Sequence, residues 1–130
     1  MELTLKSHFL NLYCMVVADG EISPTEKAVL YRIGKEQYGV TEEEIDKMIY
    51  ADEILFYAPE TEEDKILYLY DLALVAWADG KITDDEKYLL NTYAKKFGVL
   101  DEPREELIKL LLEKAQQKVS HEELLKEFTE

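Results

Sequence analysis

The sequence predicts an all-α fold: a compact bundle of about seven helices, built from two pseudo-symmetric three-helix halves plus a C-terminal helix. Three observations predict it. Apolar residues recur at helical spacing, as in Leu5, Phe9, Leu12 and Val16, and no stretch sustains the period-two alternation of a strand. Residues 12–35 match residues 72–95 at a constant offset of 60, with nine identical pairs in 24; chance at ordinary residue frequencies gives about one or two. Helix-start and helix-stop residues bracket the periodic segments throughout. The 130 residues are expected to form one domain, residues 1–130, with internal repeats at about 4–51 and 62–117. Two copies are too few for a solenoid, so the halves are expected to share one core about a pseudo-two-fold axis.

The first helix is expected at about 4–18 on the Leu5/Phe9/Leu12/Val16 stripe. The second, about 24–38, starts at Ser23-Pro24-Thr25-Glu26, a capping box with proline at the first helical position. It carries Leu30 and Ile33 inward and stops at Gly39. Thr41 and Glu44 start a third helix at about 42–51. Residues 52–60 link the halves, with Leu55, Phe56 and Tyr57 expected to tuck onto the core. Thr61 and Asp64 open a fourth helix at about 62–78, apolar enough to be buried on most sides and interrupted only by Asp71. Thr83-Asp84-Asp85-Glu86 is the second capping box, opening a helix at about 84–97 that carries Leu90, Tyr93 and Phe97 and stops at Gly98. The sixth helix is expected at about 102–117, and the seventh, begun by Ser120 and Glu123, at about 121–128.

Composition bounds the function. Fifteen Lys and Arg against 29 Asp and Glu give a net charge of −14, which excludes a general nucleic-acid binder and argues against docking on an anionic membrane. The most apolar run, 66–78, is shorter than the roughly 20 residues that span a bilayer. Cys14 is the single cysteine, so no intrachain disulfide forms. With a mixed, acidic start, the expectation is a cytoplasmic protein.

The repeated motif is Ala-Asp-Gly-x-Ile-Ser/Thr-x-x-Glu, at 18–26 and 78–86. Gly20 and Gly80 suit a chain reversal with positive φ, and Ile22 and Ile82 return an apolar side chain to the core. Asp19 and Asp79 can accept turn N–H groups. Yet both sit near helix C-termini, where the helix dipole disfavours negative charge. Each aspartate and its glutamate flank one tight turn, so Asp19, Glu26, Asp79 and Glu86 are the candidate metal ligands, with the hard oxygens that suit Ca²⁺ or Mg²⁺. A standard EF-hand is rejected: with Asp79 at loop position 5, positions 1 and 3 fall on Val75 and Trp77, and in the first copy on Met15 and Val17.

Two copies of this motif on short helical halves of an acidic domain resemble the TerB-like family, over roughly 12–51 and 66–113. The resemblance implies a helical bundle without known catalysis, linked to tellurite resistance and stress response, with acidic residues at Asp19, Glu26, Asp79 and Glu86. The expected function is a non-enzymatic domain that binds a divalent cation through its acidic turns. The alternative is a protein-interaction module, with an unidentified protein partner, in which the motif is purely structural.

Other residues suggest no catalysis. The chain has no phosphate loop, no HExxH and none of the Glu-x-x-His pairs of di-metal bundles. His8 and His121 lack a metal-ligand partner at helical spacing and are expected to be packed or solvated. Cys14 is expected as a small buried hydrophobe. Asp71, which aligns with Asn11 of the first half, is expected to cap or pair at the edge of the core. The acidic runs 42–44, 60–64 and 101–106 are expected to be solvated faces, and the tyrosines to pack with their hydroxyls at the surface.

Overall fold

A computed structural model describes residues 3–18, 20, 23–49, 56–99 and 101–129. Its helices are α1 (Leu3–Val16), α2 (Pro24–Tyr38), α3 (Glu42–Ile49), α4 (Glu62–Ala76), α5 (Asp84–Lys96), α6 (Asp101–Gln116) and α7 (His121–Thr129), and no strand occurs among the described residues. The all-α class and the seven helices are as the sequence predicts. Several ends shift by one or two residues: α1 stops at Val16 and α4 at Ala76, before the motif turns begin.

The local signals act as expected at most helix starts. Ser23, Thr61 and Thr83 are extended N-caps whose side chains accept the backbone N–H three residues on. Thr83 and Glu86 form the full reciprocal box, with the Thr83 N–H donating to Glu86 Oε1 at 2.9 Å. At Ser23 only half of the box forms: Glu26 N–H donates to Ser23 Oγ at 3.2 Å, while the Glu26 side chain turns elsewhere. Gly39 (φ 65°) closes α2, and Gly20 (φ 87°) and Gly80 (φ 83°) both take the left-handed turn conformation.

Within each half, every helix touches the other two: α1, α2 and α3 in the first, α4, α5 and α6 in the second. The halves meet chiefly along α1 and α4. α4 is the centre of the bundle, touching α1, α2, α5, α6 and α7, and eight of its fifteen residues are buried. That explains why it is apolar from Ile66 onward except at Asp71: a helix surrounded by helices needs no polar face. Phe9, Leu12, Leu30, Ile45, Leu69, Leu72, Leu90, Leu111 and Leu124 are fully buried in this core.

Phe56 and Tyr57 stay exposed, which corrects the expectation that they tuck onto the core; in this part of the linker Ala58 packs against it, while the two aromatic residues make contacts only at its edge. The Phe56 ring stacks beside Tyr93 and Phe97, with Lys96 Nζ 5.0 Å from its centroid, and the Tyr57 N–H donates to Ser7 Oγ at 2.9 Å. Leu55 lies outside the described residues. Cys14 corrects an expectation: it is exposed on α1, because it falls off the Leu5/Phe9/Leu12/Val16 stripe.

Gly34 lets α2 approach its neighbours. A Cβ there would lie 2.6 Å from Ile45 Cδ1 and 3.2 Å from Phe9 Cε1, and both of those residues are fully buried. Gly34→Val is therefore expected to lower stability by about 2 kcal/mol, the added methyls forcing α1 and α3 outward. A fall in the urea midpoint with an unchanged m-value checks it.

Candidate functional site

Two polar clusters interrupt the apolar interior. The first is the acidic cluster that the repeated motif predicts. Glu26 and Glu86 are 4% and 3% exposed, unusual for glutamates at helix starts. Asp79 is exposed and reaches across to the other half, accepting Ser23 Oγ at 3.0 and 3.1 Å on its two oxygens. The expectation that it serves its own turn is thereby corrected: it caps the capping residue of the opposite repeat. The equivalent position, Asp19, lies outside the described residues.

Glu86 is half-satisfied. Its Oε1 accepts the Thr83 N–H at 2.9 Å and the Thr83 hydroxyl at 3.1 Å. Its Oε2 is buried and has no hydrogen-bond partner. Glu26 feels both neighbours. Burial, then the charge of Glu86 and the proximity of Asp79, push its carboxyl up to about 9, so it holds its proton at neutral pH. The two repeats therefore bring Glu26, Glu86 and Asp79 together across the two halves. Among the described residues, no group of three or more His, Cys, Asp or Glu side chains stands at metal-ligating geometry.

The second cluster is built on Asp71, which pairs as the sequence predicts but in a different place. Asp71 is 0% exposed, at the centre of α4 rather than at the edge of the core. His8 Nε2, from α1, lies 2.8 Å from Asp71 Oδ2, and the Tyr38 hydroxyl, from α2, donates to the same oxygen at 2.6 Å. His121 Nε2, at the start of α7, lies 2.6 Å from Asp71 Oδ1. An ionised carboxylate only accepts, so both imidazoles donate through Nε2. Burial alone would raise the Asp71 carboxyl, but the hydrogen bonds from His121 and His8, with their charges, hold it below the usual carboxylate range. The Tyr38 phenol is driven strongly upward by burial and by Asp71.

Aromatic rings enclose the cluster. Tyr68 stacks on His8 with centroids 3.9 Å apart, and Tyr38 meets His8 edge-on at 5.6 Å. Tyr70 packs beside His121 and donates its hydroxyl to the Val119 carbonyl. Tyr38 and Tyr70 thus direct their hydroxyls into the bundle, against the expectation of surface hydroxyls, because buried acceptors await them. Both Asp71 oxygens are engaged and none of the residue is exposed, so the cluster acts as a clasp joining α1, α2, α4 and α7. Both histidines of the chain go to this one aspartate. The signal that could have found them is the charge itself: an aspartate inside an apolar helix requires donors from elsewhere in the fold.

No protein-family model matches the chain, and no curated protein or solved structure is significantly similar to it. The fold and its clusters define an all-helical domain of two related halves, clasped centrally by a buried His–Asp–His group and bearing a carboxylate cluster where the repeated turns meet. Among the described residues, no helix is long and apolar enough to cross a membrane.

Proposed function

We propose that this protein is a non-enzymatic, TerB-like domain that takes up a divalent cation at the carboxylate cluster shared by its two halves. The observation that carries the reading is the half-satisfied buried pair: Glu86 Oε2 lacks a partner while neighbouring Glu26 retains a proton. A cation replacing that proton would draw in Glu26, Glu86 and Asp79, which do not stand at metal-ligating geometry in its absence but offer the hard oxygens that Ca²⁺ and Mg²⁺ prefer. Asp19 belongs to the same proposed set through its place in the motif. The stress association rests on the family resemblance of the two motifs, and a cytoplasmic setting on the lone cysteine.

Because cation and proton compete for Glu26, binding is expected to tighten as pH rises from 7 towards 9, by up to about tenfold per unit. Titrating Ca²⁺ and Mg²⁺ while following backbone amide shifts tests this. Movement of the 23–26 and 79–86 amides, lost in Glu26→Gln and Glu86→Gln, supports the site. Still amides at 10-millimolar-scale cation and pH 8.5 remove it.

A second reading, a protein-interaction module, has its own observation. An open groove of about 440 Å³ runs between α4, α6 and α7, floored by Ile66, Leu69, Leu107, Leu110 and Phe128. Under that reading Asp79→Asn lowers stability but leaves partner capture unchanged, because the motif would then serve only the fold.

A further inference from the structure

On the side of the bundle where α2 passes the ends of α4 and α6 lies a cleft of about 610 Å³, within the size range of small-ligand sites. Its wall is apolar: Val29 from α2, Leu74 and Trp77 from the end of α4, Ala115 from α6. Its charged lining residues are Arg32 and Lys118. Among the described residues, eleven line it and none is acidic, whereas at the chain's average acidity two or three would be. Asp79, next to lining residue Gly80, does not itself line the cleft and turns to Ser23. In a protein of net charge −14, this is a cationic, apolar recess set in an acidic surface.

Trp77 adds an independent observation. Its indole forms part of the wall, and its Nε1–H is buried with no hydrogen-bond partner. A buried donor left unpaired is costly, which leaves the indole at this wall without a hydrogen bond to hold it. Arg32 and Lys118 are exposed at the mouth and offer donors to an anionic group, while the apolar wall suits a slim hydrocarbon body.

We propose that this cleft binds a small organic anion, a carboxylate on an apolar body, with Arg32 and Lys118 holding the charge and Trp77, Leu74 and Val29 holding the chain. This goes beyond the cation reading, uses none of its ligands, and can hold or fail independently of it.

Octanoate and octanamide share a body and differ in charge, so the pair is the probe. Trp77 is the only tryptophan, which makes its indole N–H cross-peak an unambiguous reporter. Octanoate is expected to shift that peak and the Val29 and Ala115 amides at submillimolar to millimolar concentration, with octanamide about tenfold weaker. Arg32→Gln and Lys118→Gln, both at exposed positions, are each expected to weaken octanoate about threefold and to leave octanamide unchanged. Equal binding of the two probes overturns the proposal. So does undiminished octanoate binding in the double variant, or no shift up to about 10 mM.

Discussion

Asp71→Asn is expected to lower the unfolding free energy by about 3 kcal/mol, the scale on which breaking a buried ionic hydrogen-bonded group destabilises a fold. For a domain of this size that is about 10 °C in Tm. The substitution keeps the volume but leaves one acceptor oxygen where two served three donors: His8, His121 and Tyr38. The amide also presents N–H groups to an imidazole N–H. Thermal unfolding followed by circular dichroism reads the loss; a Tm within about 2 °C of the parent would show that the clasp contributes little.

The acid limb gives a second measure of the same group. The Asp71 carboxyl is held below its ordinary value in the folded protein. Its contribution is therefore complete above the unfolded carboxylate pKa near 4 and is lost as pH falls through the folded value. The parent should lose stability below about pH 4 more steeply than Asp71→Asn. His121→Ala offers a milder cut, about 1–2 kcal/mol, since His121 is only half-buried. Its signature is local: amide hydrogen exchange in α7 accelerates before that in α4, because His121 is the cluster member that α7 supplies.

Glu26→Gln is expected to act in the opposite direction, stabilising the protein, and more so as pH rises. Glu26 is raised from an ordinary value of 4.5 to about 9 in the folded state. Between those values the folded protein holds a proton that the unfolded chain has released, so stability falls as pH increases across that window. The limiting slope for one proton is about 1.4 kcal/mol per pH unit, and relaxation of the exposed Asp79 side reduces it. Glutamine mimics the protonated acid and removes the slope. A gain of about 1–2 kcal/mol at pH 8.5, shrinking towards zero near pH 5, is the expected result. Parallel pH profiles for parent and variant would show that Glu26 ionises normally. The comparison also bears on the proposed cation site: a millimolar divalent cation that replaces the proton should stabilise the parent at pH 8.5 and leave Glu26→Gln unmoved.

Much of the fold was legible because its signals are local. Ser23, Thr61 and Thr83 cap helices through side chains three residues from their partners. Gly20, Gly39 and Gly80 take positive φ, as a turn after a helix asks of them. The apolar run in α4 announced a helix buried on nearly all sides. The candidate site was legible only in composition. The motif marked Glu26, Asp79 and Glu86, but it suggested that each turn would keep its own carboxylates. In the folded protein Asp79 bonds Ser23, 56 positions away, and Glu86 acts on Glu26 across the halves. The His8–Asp71 pair spans 63 positions and Asp71–His121 spans 50. No helical or turn spacing encodes such partnerships.

The helices, their caps, the duplication and the acidic balance can be read from the chain alone, because hydrogen-bond capping and amphipathic periodicity are settled within one or two turns of chain. Which charges are buried, and with whom, depends on how the helices pack. Packing α4 at the centre left Asp71 no route to water, so its donors had to come from α1, α2 and α7. Packing the halves face to face buried Glu26 and Glu86 together, so one of two like charges gives way to a proton. Burial makes electrostatics strong and long-range contact makes it specific, and both belong to the assembled bundle rather than to any segment of it.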